Sequence, residues 1–307
     1  MRTLSILGFA LAFCLLFTLS AGAALTLTDG WGRTVVFEHP AQRIVSLTPA
    51  NTEIVYFLDL DPLLLGVTEY CNYPAEAREK ERIGSLIDVD LERVVALQPD
   101  LILAGSLTTP EAVERLVSFG FPVFVLDPGT VTESLEAIDQ VAQIAGIAEQ
   151  GAARIRELAD AIEYVTGWSK GIPEEQRPDV LHIIWHDPIW TVGGDTFVHQ
   201  FIEMAGGRNL TADLTGYANL DLEELLRRNP SIITVDDDHG DEQSLPFLFV
   251  TTDPRLHPVR AVRDGRVYRV DSDIVSRPGP RVAEAVKLFA RIFYPEEFGE
   301  AVWTEPE

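Results

Sequence analysis

The chain has 307 residues, of which 46% are hydrophobic, so it is long enough to form two domains of ordinary size. It carries 48 acidic against 24 basic residues, a formal net charge of -24. No stretch is rich in lysine and arginine, and this excludes nucleic acid as an expected partner, because such a partner needs clustered positive charge.

The first 23 residues have the pattern of a secretory signal peptide. Arg2 precedes an apolar run over residues 4–19, and small residues at 20–24 include an A-x-A cleavage pattern. Alternatively, the run could remain as an uncleaved membrane anchor, because it is nearly long enough to span a bilayer. We predict export with cleavage, which leaves Cys71 without a disulfide partner in the mature chain.

Strands and helices alternate in the first half of the chain. The predicted strands are 35–37, 44–47, 66–68, 101–104 and 123–126, and the predicted helices are about 51–58, 91–97, 110–119 and 131–145. Several of these strands are continuous apolar runs instead of alternating ones. Such runs are typical of a parallel sheet that is covered on both faces.

Residues 148–166 predict one amphipathic helix in the middle of the chain, because Ile155, Leu158 and Ile162 recur at helical spacing. This helix would join two lobes. The predicted domains are a signal peptide (1–23), an N-terminal α/β lobe (24–146), a linker helix (147–168) and a C-terminal α/β lobe (169–307).

The second half repeats the pattern of the first. Its predicted strands are 180–185, 232–235 and 267–270, and its predicted helices are 196–205, 222–228 and 281–293. LERVVALQPDLIL at 91–103 corresponds to LEELLRRNPSIIT at 222–234. Each reads as a short helix, a proline that ends it and a buried strand. The sequence therefore predicts an α/β fold of two Rossmann-like lobes.

Ligands of open parallel α/β sheets bind outside the carboxyl ends of the strands, so two facing lobes would form a ligand cleft between them. The segments expected there are 48–51, 69–73, 105–107, 185–190, 236–239 and 272–277. Tyr70, Tyr73, Trp185 and Trp190 fall in these segments and predict a pocket for a large planar or apolar ligand. Alternatively, each ring could cover the core of its own lobe.

Glu92 and Glu223 occupy the same position in the two halves, the second residue of a helix. A carboxylate there interacts favourably with the helix dipole, by roughly 0.3–1 kcal/mol. The pair could also present matched anchors to a two-fold symmetric basic partner. The sequence alone leaves both interpretations open.

No catalytic or cofactor motif is evident. His182 and His186 are four apart on a predicted strand, and no HExxH motif occurs. A metal site formed by several histidines, His239 and the neighbouring aspartates is an alternative to a solvated acidic loop. Neither Gly-x-Ser-x-Gly nor a carboxylate pair placed for acid and base catalysis is present. We predict neither an enzyme nor a resident metal or cofactor.

Several segments carry a resemblance to a known family. They are RIVSLTPANTE at 43–53, Tyr-Pro at 73–74, LERVVALQPDLI at 91–102, the segment from Gly-Gly at 193–194 to AGGRN at 205–209, and AVRDGRVY at 261–268. Together they resemble the iron-siderophore and vitamin B12 class of substrate-binding proteins of ABC importers. The resemblance is strongest to the cobalamin-binding members, through Pro-Ala-Asn-Thr-Glu and Leu-Glu-Arg-Val-Val-Ala-Leu.

The resemblance implies a single helix between the lobes and a small hinge motion on ligand binding. It implies that Glu92 and Glu223 contact arginines of the permease dimer in the membrane. It also implies the ligand contacts, which are Tyr70, Trp185 and Tyr217 as aromatic residues of the corrin pocket and Arg277 as a basic residue at the cleft. Leu86 and Gly105 depart from the pattern, because cobalamin binders carry tryptophans at these positions.

We therefore expect an exported, monomeric substrate-binding protein that captures a cobalamin, another corrinoid or a ferric siderophore and delivers it to a permease. A haem carrier or a carrier of bare zinc or manganese, built on the same architecture, is the alternative.

Overall fold

The computed structural model describes residues 24–237 and 244–301. The predicted signal peptide and His239 lie outside these residues. Within them, no helix is both long enough and apolar enough to cross a membrane.

The first half forms a parallel α/β lobe. Its strands are β1 (Leu25–Thr28), β2 (Thr34–Phe37), β3 (Ile44–Ser46), β4 (Leu64–Val67), β5 (Glu81–Arg82), β6 (Leu101–Gly105) and β7 (Val123–Leu126). Its helices are α1 (Pro49–Phe57), α2 (Leu91–Leu97), α3 (Pro110–Ser118) and α4 (Val131–Ile144). β1 and β2 form a separate hairpin. The other strands form one sheet in the order β5-β4-β3-β6-β7, and every pairing in it is parallel.

The second half begins with the long helix α5 (Ala148–Ser169). Its strands are β8 (Asp179–His186), β9 (Ile189–Val192), β10 (Arg208–Asn209), β11 (Tyr217–Asn219), β12 (Ile232–Asp237) and β13 (Val267–Asp271). Its remaining helices are α6 (Phe197–Met204), α7 (Leu222–Arg228), α8 (Leu245–Thr252), α9 (Arg260–Arg263), α10 (Ser272–Ser276), α11 (Val282–Phe293) and α12 (Pro295–Phe298). The predicted two-lobed α/β fold is confirmed.

The second sheet is mixed, with the order β11-β9-β8-β12-β13 and β10 beside β8. β8, β12 and β13 are parallel, whereas β9 runs antiparallel to β8 and to β11. The sequence predicted no strand between residue 185 and the helix at 196–205. Instead, the chain reverses at Asp187 and Pro188 and returns as β9, so that Trp190 lies opposite Trp185.

Continuous apolar strands arise here because both faces of the first sheet are buried. Leu101 and Leu103 of β6 pack on one side, with α1 and α4. Ile102 and Ala104 of the same strand pack on the other side, with α2 and α3. Burial of each such leucine or isoleucine side chain contributes about 1.5–3 kcal/mol to stability.

Helix α5 joins the lobes by packing on both. Its 22 residues span about 33 Å. Ile155 packs against the core of the first lobe, whereas Ile162 and Val165 belong to the core of the second. Gly151 permits a close approach to α4, because a Cβ atom there would lie only 2.3 Å from Cβ of Ala142.

The repeated segments fold alike. Asp90 caps α2 by accepting a hydrogen bond from the backbone of Arg93, and Asp221 caps α7 in the same way. Gln98 and Asn229 then end the two helices in the left-handed conformation, each with φ of 46°.

Candidate functional site

A cavity of about 510 Å³ lies between the two lobes. The loops that follow β3, β4, β6 and β7 line it from the first lobe, and α10 with the residues after it lines it from the second. The carboxyl ends of the parallel strands therefore meet this cavity, as is typical of ligand sites in open α/β sheets. Four of the segments expected at the cleft contribute to it, namely 48–51, 69–73, 105–107 and 272–277.

The floor of the cavity is built on backbone contacts of the first lobe. Thr48 caps α1 by accepting a hydrogen bond from the backbone of Asn51, and the buried Asn51 amide donates to the carbonyl of Ala104 at 2.9 Å. Gly105 lies so close to this cap that an added Cβ would be 2.9 Å from Cγ2 of Thr48. The glycine therefore keeps the floor open where a larger side chain would displace the cap.

Apolar side chains stand exposed at this cavity. Tyr70 and Leu107 are each 58% exposed although both line it, and Leu86 lies beside them. Exposed apolar groups in a concave site leave surface that a ligand can cover.

Arg277 contributes a guanidinium to the cavity wall, but that group is already paired. Its Nη1 donates to Oε1 of Glu53 at 2.9 Å and to Oδ1 of Asn72 at 2.8 Å. Its Nη2 lies 2.5 Å from Oδ2 of Asp273. Glu53 and Asn72 belong to the first lobe, so these contacts cross between the lobes.

Glu53 is the centre of this contact, with a side chain that is only 1% exposed. Its carboxylate also accepts hydrogen bonds from Arg281, from Nε at 2.8 Å and from Nη2 at 2.7 Å. Burial alone would lower the pKa of Arg281, but the hydrogen bonds with the Glu53 carboxylate raise it above its usual value. The guanidinium of Arg281 also lies 4.3 Å from the ring centre of Tyr73. We call Glu53, Asn72, Asp273, Arg277 and Arg281 the inter-lobe clamp.

Two of the predicted ligand contacts, Tyr70 and Arg277, line the cavity together, whereas Trp185 and Tyr217 do not line it. Trp185 lies near the end of β8 and donates from Nε1 to the carbonyl of Asp187 at 3.1 Å. Tyr217 begins β11 and is 58% exposed. Partial burial raises the pKa of Tyr217, and the nearby carboxylate of Asp236 raises it further.

Glu92 and Glu223 are exposed at the first turns of α2 and α7. Their charged neighbours are paired locally, for example Arg93 with Asp90 at 3.0 Å and Arg228 with Glu224 at 2.6 Å. Within the described residues, neither Glu92 nor Glu223 has a side-chain hydrogen bond or ion pair. Helices α2 and α7 lead into the parallel strands β6 and β12, so each helix runs antiparallel to the strands of its sheet. Both helices therefore begin beside the carboxyl ends of the strands, which face the cleft.

The candidate metal-binding histidines do not come together as a metal site. His182 is buried, with Nδ1 2.9 Å from the Thr234 hydroxyl and Nε2 3.1 Å from the Asp236 carboxylate. His186 lies near Phe249 instead, with ring centres 5.9 Å apart. In residues 24–237 and 244–301, no group of three or more His, Cys, Asp or Glu side chains is placed to hold a metal ion.

Residues 44–274 match the family model described as periplasmic binding protein. The chain belongs to this family. Periplasmic binding proteins act outside the cytoplasmic membrane, and this confirms the export predicted from the sequence.

Curated relatives of this periplasmic binding protein cover most of its length. An uncharacterized ABC transporter substrate-binding lipoprotein of Bacillus subtilis, YvrC, is 29% identical over 281 residues, which cover 90% of this chain and 87% of the relative. A vitamin B12-binding protein of Vibrio parahaemolyticus is 27% identical over 249 residues, covering 80% of this chain and 87% of the relative.

Solved structures share the fold. The periplasmic vitamin B12 binding protein BtuF of Vibrio cholerae aligns with a TM-score of 0.71 and 24% identity, over 84% of this chain and 98% of its own. The periplasmic heme-binding protein RhuT of Roseiflexus aligns with a TM-score of 0.74 and 25% identity, over 85% of this chain and all of its own.

The sequence of this periplasmic binding protein does not by itself predict the clamp. Glu53 is the last residue of Pro-Ala-Asn-Thr-Glu, and its need for a buried cation could have been predicted. The signal was present, because Glu53 precedes Ile54 and Val55 on an apolar helix, and a buried carboxylate requires a hydrogen-bonded cation. No local pattern indicated that the cation would be Arg281, more than 200 residues away.

Proposed function

We propose that this periplasmic binding protein captures a metal chelate in the inter-lobe cavity and delivers it to the permease of an ABC importer. The proposed ligand is a cobalamin or another corrinoid, with a ferric siderophore in the same class. The observation that carries the proposal is the cavity itself. It lies at the strand ends of the first lobe, it is closed from the second lobe by α10, and it exposes Tyr70 and Leu107.

The chemistry of the cavity suits a large chelate with an apolar plane and polar edges. Tyr70, Leu86 and Leu107 supply apolar surface, and Thr48 and Ser106 add hydroxyl-bearing residues to the lining. A corrin ring bears peripheral amides, which can exchange hydrogen bonds with such hydroxyls. The vitamin B12-binding relatives support the same assignment.

In this proposal Tyr70 and Arg277 contact the ligand directly. Trp185 and Tyr217 lie on the second sheet outside the cavity, and we propose that they contact the part of a bulky ligand that extends beyond it. The protein binds as a monomer and performs no chemistry on the ligand.

Haem is the alternative that one observation favours, because the exposed phenol of Tyr70 could ligate a haem iron. Haem is disfavoured because its two propionates need cations as partners, whereas the guanidinium of Arg277 is already paired with Glu53 and Asp273. A carrier of bare zinc or manganese needs three or four convergent ligands, and the described residues contain no such group.

We propose that Glu92 and Glu223 dock this protein on the permease. Each is an exposed carboxylate at the cleft-facing edge of its lobe, and neither is neutralised by a described neighbour. A pair of this kind, one carboxylate from each lobe, complements two equivalent basic sites on a permease dimer.

The ligand class is tested by absorbance spectra of the purified protein mixed separately with cyanocobalamin, hemin and a ferric siderophore, because each is coloured. We expect a saturable spectral change with cyanocobalamin that persists in Tyr70→Phe, since the substitution keeps the ring. A change with hemin that disappears in Tyr70→Phe would instead show iron ligation by the phenol. No saturable change with any of the three would contradict the proposed function.

A further inference from the structure

The charged groups that line the cavity are Glu69, Asp273 and Arg277. Arg277 is therefore the one cation among the described lining residues. The side chain of Arg277 is only 10% exposed, and its guanidinium is paired with the carboxylates of both Glu53 and Asp273. An anionic ligand group that approached Arg277 would have to displace one of these carboxylates or be repelled by it.

Glu53 influences the cavity indirectly, through its ion pair with the lining residue Arg277. It lies on α1, is almost fully buried and does not line the cavity. Within the clamp, two carboxylates, Glu53 and Asp273, face two guanidiniums, Arg277 and Arg281, so the formal charge of the group is zero before any ligand binds.

We propose that Glu53 is a specificity-determining residue of this cavity. By binding Arg277 and Arg281 it removes the positive charge that would attract an anionic ligand, so the cavity selects uncharged metal chelates over chelates that carry carboxylates. This inference rests on the proposed function and extends it to the charge of the ligand.

The test compares two ligands that differ at one peripheral group, which is an uncharged amide in the first and a carboxylate in the second. They are cyanocobalamin and its derivative in which one peripheral amide has been hydrolysed to a carboxylate. In equilibrium titrations the wild-type protein should bind the parent at least tenfold more tightly. Glu53→Gln, which keeps the size of the side chain and removes its charge, should abolish most of that preference. Adding Arg277→Gln to this variant should restore it. An unchanged preference in Glu53→Gln would overturn the proposal.

Glu69→Gln is the matched control, because it removes one carboxylate charge from the cavity lining without touching an arginine contact. If only net charge mattered, Glu53→Gln and Glu69→Gln would reduce the preference for cyanocobalamin over its carboxylate derivative equally. The proposal requires a clearly smaller change in Glu69→Gln, since Arg277 stays paired there. Equal changes in the two variants would overturn it.

Two provisions keep the test decisive. If Glu53→Gln does not fold, Glu53→Gln with Arg281→Met removes the second buried charge and retains an apolar contact with Tyr73.

If wild-type protein binds no corrinoid, the proposed function fails, and calorimetry with citrate tests the clamp separately. Glu53→Gln should then bind citrate at least tenfold more tightly than wild type, and Arg277→Gln should remove the gain. Equal citrate affinity in wild type and Glu53→Gln would overturn the inference.

Discussion

Oε1 of Glu53 in the first lobe lies 2.9 Å from Nη1 of Arg277 in the second, and both side chains are almost completely buried. The same carboxylate binds Arg281 through two further hydrogen bonds. The lobes are therefore connected at the cleft by a buried charge cluster as well as by α5. Charge-assisted hydrogen bonds of this kind require specific geometry, so they fix the position of the two lobes relative to each other at the cavity.

Glu53→Ala should destabilise the protein by about 3–5 kcal/mol, because it leaves Arg277 and Arg281 buried without this carboxylate. Urea unfolding monitored by circular dichroism measures the change. Glu163→Ala is the control, since its ion pair with Lys170 is 70% exposed at both side chains. That substitution should cost at most about 1 kcal/mol. Equal small losses in both variants would show that the clamp contributes no stability.

Gly151→Ala and Gly167→Ala on α5 should change stability in opposite directions. At Gly151 the new Cβ would lie 2.3 Å from Cβ of Ala142, so α4 and α5 must move apart, at a cost of about 1–3 kcal/mol. At Gly167 the nearest described atom is Oε1 of Glu163 at 3.5 Å. Alanine there should stabilise the helix by about 0.5–1 kcal/mol. Thermal unfolding of the two variants tests this, and destabilisation of equal size would contradict the packing described for α5.

Glu92→Ala combined with Glu223→Ala should abolish uptake of the ligand by cells or proteoliposomes that contain the permease. Ligand affinity of the isolated protein should stay within about twofold, because neither residue lines the cavity. The control combines Glu111→Ala with Glu157→Ala, which removes the same charge from exposed helical positions. Loss of ligand binding in the first variant, or equal loss of uptake in the control, would remove the docking assignment.

Acid should weaken the ion pair between Asp213 and Arg228 of α7. The hydrogen bond with Arg228 lowers the pKa of Asp213 to about 2. A carboxylate with a lowered folded-state pKa stabilises the protein above its unfolded-state pKa of about 4, and this contribution is lost as the pH falls towards 2. The thermal midpoint of wild type should therefore fall more steeply between pH 4 and pH 2 than that of Asp213→Asn. Parallel curves would contradict the prediction. Because Asp213 is largely exposed, the difference should be small.

Much of the fold could be predicted from the sequence, because its strongest signals are local. The run of residues 148–166 has helical periodicity, and α5 extends from Ala148 to Ser169. The strand at 101–104 is continuously apolar, and β6 is buried on both faces. β9 was missed because a tight reversal at Asp187 and Pro188 leaves only four residues for the strand.

The candidate site was predictable only in part. The rule that ligands bind at strand ends identified the loops around Tyr70, Gly105 and Arg277, which do line the cavity. The pairing of Arg277 with Glu53 was not predictable, because it depends on how two separately folded lobes face each other. A single sequence contains no local signal for a contact between residues 224 positions apart.

The most direct test of the account is an equilibrium titration of cyanocobalamin into wild-type protein and two variants, Tyr70→Ala and Tyr164→Ala. Both tyrosines are exposed, 58% and 65% respectively, but Tyr70 lines the inter-lobe cavity and Tyr164 lies on α5 away from it. The account predicts saturation at one corrinoid per chain, an affinity loss of at least about tenfold in Tyr70→Ala, and unchanged affinity in Tyr164→Ala. Absence of saturable binding to wild type, or equal affinity in all three proteins, would contradict capture of a chelate in this cavity.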